Sequence, residues 1–176
     1  MTAARQERKS RPLSAFTCAF SCTFSWAFLW AAVTLLAASA CDRPMAAEPL
    51  VFNRYTGLAI DGYDPVSYFV DGAPRLGRPD FELRLGGASW RFVNEGNMAA
   101  FAADPDVYAP QFGGHDPLAI VRGAATPGHP LLWAIAENSL YLFYSEEARA
   151  AFNSDPDTAI DAAERHWPDV RRNIPR

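Results

Sequence analysis

The chain has 176 residues, 49% of them apolar and 20% charged, with a formal net charge of −4. Such a length and composition describe one folded domain and exclude a disordered chain. Residues 1–40 hold Arg5, Arg8, Lys9 and Arg11 against Glu7 alone, so the remainder carries −7, which argues against nucleic acid or an anionic membrane surface as its partner.

Residues 12–41 contain no charged side chain, and Phe16, Phe20, Phe24, Trp26, Phe28, Leu29, Trp30, Val33, Leu35 and Leu36 make them strongly apolar. A basic start, an apolar run and the small residues Ala37, Ala38, Ser39 and Ala40 mark residues 1–40 as an export signal or membrane anchor. No Arg-Arg pair precedes the run, which favours general secretion over the twin-arginine route. Ala38-Ser39-Ala40 satisfies the small-x-small cleavage rule, and together with Cys41 it also resembles a bacterial lipobox. Cys18 and Cys22 fall inside the run, so Cys41 has no mature partner for a disulfide. Cys41 is therefore the lipidation candidate. A soluble cleaved product and an uncleaved anchor are the alternatives, since about 20 apolar residues can span a bilayer. All three place the body outside the cytoplasm, on the periplasmic side of the cell membrane, with a lipid anchor as the leading form. Residues 41–57 read as a linker to a domain over 58–170, followed by a basic tail over 171–176.

Phe81, Leu83 and Leu85 alternate, Gly86-Gly87 turns, and Trp90 and Phe92 alternate again, which predicts a hairpin. Asn94 suits the N-cap of a short helix carrying Met98 and Phe101, and Asp104-Pro105 ends it. At an offset of 51 the same unit recurs, residues 90–106 lying on 141–157 without a gap. Phe92/Phe143, Glu95/Glu146, Phe101/Phe152, Asp104/Asp155, Pro105/Pro156 and Asp106/Asp157 are among the identical pairs. In the second copy Leu132, Ala134 and Ala136 lead to a turn at Glu137-Asn138, then a strand over Leu140–Tyr144, with Ser145 capping the helix that contains Phe152. Asp155 and Pro156 open a further helix with Ile160, Ala163 and Trp167 on one face, which Pro168 is expected to end. The fold class is α+β: two hairpin-plus-helix units packed into one domain, plus a C-terminal helix. Trp90, Phe92, Phe101, Trp133, Phe143 and Phe152 are the expected core.

The strings Gly62-Tyr-Asp-Pro-Val-Ser-Tyr-Phe69, Asp104-Pro-Asp-Val-Tyr-Ala-Pro-Gln-Phe-Gly-Gly114, Pro127-Gly-His-Pro-Leu-Leu-Trp133, Leu140-Tyr-Leu142 and His166-Trp-Pro168 resemble, in order and spacing, the exported bacterial YHS-domain proteins. The resemblance covers residues 58–170. Related YHS and TRASH-like domains bind metal through cysteines, and the resemblance puts those positions at Ser67, Val93 and Asn97, with Tyr144 and Ala148 in the second copy. Every thiolate is absent, and valine or alanine cannot replace it as a ligand. The segment Gly113-Gly-His-Asp116 also lacks the cysteine that exported relatives often carry there.

The ligand-binding candidates are Tyr63, Asp64, His115, Asp116 and His129. Asp64 before a proline and Asp116 after a double glycine are turn formers in their simplest reading. His115, Asp116 and His129 would be the ligands if a metal ion bound, although nothing in their spacing forces the two loops together. His166, beside Trp167, reads as a partly buried core residue. Ser67 lacks a nucleophile elbow, and no phosphate loop, dinucleotide fingerprint or His-Glu-x-x-His helix is present. The chain is therefore read as no enzyme, with no catalytic residue and no cofactor. Its expected function is a non-catalytic binding or accessory module of the cell envelope, with an envelope protein or small ligand as partner. A metal-binding protein using the His115-Asp116 loop is the alternative.

Overall fold

The structure, a computed structural model, describes residues 49–175; the expected export signal or anchor over residues 1–40 and the lipidation candidate Cys41 lie outside them. The body belongs to the unit Pro44–Arg176. Among the described residues it is an α+β fold of two hairpins and six α-helices, with short 3-10 turns at Ile60–Gly62 and Gln111–Gly114: α1 (Ser67–Val70), β1 (Arg78–Leu85), β2 (Ala88–Phe92), α2 (Glu95–Ala103), α3 (Pro105–Tyr108), α4 (Pro117–Val121), β3 (His129–Ala136), β4 (Ser139–Phe143), α5 (Glu146–Ser154) and α6 (Pro156–Arg172). Each hairpin is a separate antiparallel pair, β1 with β2 and β3 with β4. Both turns have positive φ at their two central residues, Gly86-Gly87 and Glu137-Asn138, the geometry that matches the twist of the flanking strands. Asn94 and Ser145 accept the N–H of Asn97 and Ala148 at 2.8 and 3.2 Å, capping α2 and α5 as their sequence positions require.

The repeat extends further upstream than the ungapped match. Ile60, Asp61 and Gly62 have φ of 41°, 52° and 80°, and Phe112, Gly113 and Gly114 repeat them at 54°, 61° and 86°. Leu58 bridges Ser89 as Pro110 bridges Leu140, and Tyr63 bridges Leu76 as His115 bridges Pro127. Both β1 and β3 are bulged near their starts, between Arg78 and Glu82 and between His129 and Trp133. The offset is 52 through Asp64/Asp116 and 51 from Gly72/Gly123 onward, because the stretch around α4 is one residue shorter. Gly77 and Gly128 mark equivalent close approaches in the two copies. A Cβ on either would lie 2.4 Å from the Arg91 backbone or 2.6 Å from the Leu142 side chain, so neither position admits a side chain.

Two apolar cores result, and β4 serves both. Tyr141 and Phe143 face a core with Phe112, Ile120, Phe152, Ile160, Ala163, Trp167 and Val170. Leu140 and Leu142, on the opposite face of the strand, join Ala59, Ile60, Val66, Tyr68, Trp90, Phe92 and Phe101 in the other. The outer face of the second hairpin is thus the lid of the first core, whereas α6 covers the second. The equivalent outer face of the first hairpin carries Ser89 and an Arg91–Glu82 ion pair at 3.0 Å instead of leucines.

Five expectations change in detail. Residues 49–57 are not a free linker: Val51 N–H donates to the Gly113 carbonyl at 2.8 Å, and Leu50 packs on the first core. Pro168 does not end α6. It is exposed, so the hydrogen bond it forfeits faces water, while Trp167 and Val170 on either side are held in the core. Arg171 and Arg172 consequently form the last turn of α6 rather than a loose tail, where they complement the helix dipole. His166 is exposed, lying off the stripe of Ile160, Ala163, Trp167 and Val170. Trp133 is half-buried, edge-on to Tyr68 at 5.4 Å between ring centroids, because it sits at the border of the two copies.

Candidate functional site

Asp64 is fully buried, and every hydrogen-bond partner of its carboxylate is a donor. Its Oδ1 accepts Val66 N–H at 2.8 Å, holding the start of α1. Its Oδ2 accepts Val93 N–H at 2.8 Å and the Asn97 side-chain amide at 2.7 Å, tying the end of β2 and helix α2 to the same carboxylate. Ser67 Oγ donates to the Asp64 carbonyl at 2.7 Å and accepts Arg75 N–H at 3.1 Å. Ser67, Val93 and Asn97, the positions that the YHS resemblance implies for sulfur, therefore converge on one residue, Val93 and Asn97 on the Asp64 carboxylate and Ser67 on its backbone carbonyl. Charge-assisted bonds of this kind offset the desolvation of a buried acid.

Asp116 repeats the arrangement. Its Oδ1 accepts Leu118 and Ala119 N–H at 2.7 and 3.2 Å, and its Oδ2 accepts Tyr144 N–H at 2.9 Å. Asp64 and Asp116 are hence clasps within the fold, with their oxygens engaged by backbone and amide donors. Tyr63 is half-buried in the first copy at the place His115 takes in the second. His115 is buried beside Trp167, ring centroids 5.5 Å apart, and its Nδ1 lies 2.8 Å from the Phe112 carbonyl, to which it donates when protonated there. The loops of His115 and His129 do meet, since Gly128 N–H donates to the Gly114 carbonyl at 2.9 Å. The imidazoles do not: His129 is exposed and accepts Leu131 N–H at 3.1 Å. Among the described residues no three His, Cys, Asp or Glu side chains are grouped to hold a metal ion.

A concave feature of useful size lies elsewhere. A groove of about 380 Å³ runs beside the first core, with Leu50, Leu85, Trp90, Phe101, Ala109 and Phe112 in its apolar lining and Asp106 and Gln111 as its polar side chains. The repeat explains why it exists. In the second copy the helix after Asp155-Pro156 runs on, and Ile160 is buried in the core. In the first copy the helix after Asp104-Pro105 stops at Tyr108, and Ala109-Pro110 stands at the equivalent place. Proline cannot continue the helical hydrogen bonding, and alanine is too small to replace isoleucine.

Comparison of the chain with models of known families, with curated proteins and with solved structures gives no match. The groove residues were not legible as a site, because aromatics and leucines at these spacings read as core. One signal for the two clasps was present: Gly-x-Asp-Pro occurs at Gly62–Pro65 and again at Gly114–Pro117, displaced by 52 rather than 51.

Proposed function

We propose that the protein is a non-catalytic binding or accessory module of the bacterial cell envelope, a YHS-like domain without its cysteine site, exported and held at the periplasmic side of the membrane through an acylated Cys41. The observation that carries the binding role is the groove beside Trp90 and Phe101, whose volume falls in the range of small-molecule and side-chain pockets. The export-type segment and the lone Cys41 support the location. Among the described residues no helix is long and apolar enough to cross a membrane.

A photo-crosslinking residue in place of Gln111, at the groove, tests the reading in intact cells, with the same residue in place of exposed Arg122 as the control. A discrete adduct formed only from the groove position is expected. Equal labelling at both positions, or none, overturns the groove as the binding surface. Intact mass of the membrane fraction tests the anchor: a diacylglyceryl-type mass on a chain beginning at Cys41 is expected, and a soluble product starting elsewhere overturns it.

A further inference from the structure

The groove has a charge preference written into its lining. Among the described residues Asp106 is its only charged side chain, no Lys, Arg or His lines it, and Asp106 makes no ion pair. The residues after the export segment carry −7 in total, a field that gathers cations and repels anionic amphiphiles. An anionic head group at the edge of the cleft would face the exposed Asp106 carboxylate and be repelled by it. Trp90, Phe101 and Phe112 are buried beneath the groove, and its accessible apolar lining is Leu50, Leu85, Pro105 and Ala109, a surface for an apolar body.

We propose that the groove takes a small organic cation with an apolar body, an amine whose apolar part packs on Leu50, Leu85 and Ala109 with its charge at Asp106. The inference rests on the groove being the binding surface of the module. Copy two has the equivalent acid, Asp157, but Ile160 occupies the space beside it, so one copy alone offers the site.

Phenethylamine, 2-phenylethanol and phenylacetate share one apolar body and differ in the charge of the head group. Titration of the purified full chain with each, followed by ligand-observed NMR, is the test. Phenethylamine is expected to bind about two- to fivefold more tightly than phenylacetate, a margin typical of one solvent-accessible ion pair. Asp106→Asn should remove the preference for the amine over 2-phenylethanol, and Ala109→Ile, which brings in the side chain of the second copy, should abolish binding of both. Thermal unfolding of each variant confirms that it is folded. Equal binding of all three compounds, lost in Ala109→Ile, overturns the cation preference while leaving the groove as a binding surface. Binding of the amine that survives both substitutions overturns the assignment of the site. Absence of binding by all three overturns the inference, and the crosslinking experiment then decides the groove reading independently.

Discussion

Asp64 and Asp116 stand 52 residues apart and do the same work: the Oδ2 of each accepts the N–H of the residue just after its own hairpin, Val93 at 2.8 Å and Tyr144 at 2.9 Å. The Oδ1 of each meanwhile holds the first turn of the helix that follows it. One carboxylate thus fixes a loop, a helix start and a strand end in each copy.

Removing either clasp leaves buried donors without a partner. Asp64→Ala and Asp116→Ala should each destabilise the protein by about 3 kcal/mol or more, since a charged hydrogen bond contributes about 1.5–3 kcal/mol and an orphaned group adds its desolvation. Asn97→Ala, which removes one donor to Asp64, should cost about 1 kcal/mol. Urea unfolding of the three variants is the check, and surface-like losses at both aspartates would refute the clasp.

Phe101 and Phe152 are both fully buried at matching places in the two cores. Alanine at either should lower stability by about 3–5 kcal/mol, the usual range for a core Phe→Ala change. Similar losses at the two sites, measured by denaturant unfolding, would support their equivalence.

Gly77→Ala and Gly128→Ala should each destabilise by about 1–3 kcal/mol, the usual cost of forcing extra volume into packed structure, because the added Cβ meets Arg91 or Leu142. Gly57→Ala has open space and faces only its positive φ of 73°, so its loss should be the smaller one. Thermal unfolding of the three variants separates steric contact from backbone preference.

Burial first, then the neighbouring Tyr63 and Asp64, hold the ionisation of Tyr68 well above the ordinary phenol range. The hydroxyl donates to the Pro130 carbonyl at 2.9 Å, which links the two copies. In the unfolded chain the phenol ionises near pH 10, so stability is full below that pH and falls as pH rises above it. Tyr68→Phe should be less stable at neutral pH and should lose less between pH 9 and about 11. Unfolding curves across that range, beside an absorbance titration of tyrosine, will show whether Tyr68 ionises only as the protein unfolds.

At acid pH the sign is opposite for Glu82. Its hydrogen bond with Arg91 lowers its ionisation below the usual glutamate range, so this contribution is present above the unfolded value and is lost as pH falls through the folded one. Arg91→Leu should shift the Glu82 carboxyl titration upward in NMR while changing stability little, as expected for an exposed pair.

By itself the sequence determined the local structure, because its signals act over a few residues. Gly86-Gly87 and Glu137-Asn138 accept positive φ and set the hairpins, Asn94 and Ser145 cap the helices, and the paired Phe101 and Phe152 announce a repeated unit. Tertiary structure alone decided how the units combine. Leu140 and Leu142 alternate with Tyr141 and Phe143 as in any strand buried on both faces, and only packing assigns them to different cores. Pro168 persists inside α6 because Trp167 and Val170 are anchored while the proline faces water. The groove is decided in the same way: Ala109-Pro110 is an ordinary helix stop along the chain, and it becomes a cleft because the first copy has no helix continuing over Trp90 and Phe101 as α6 does over the second.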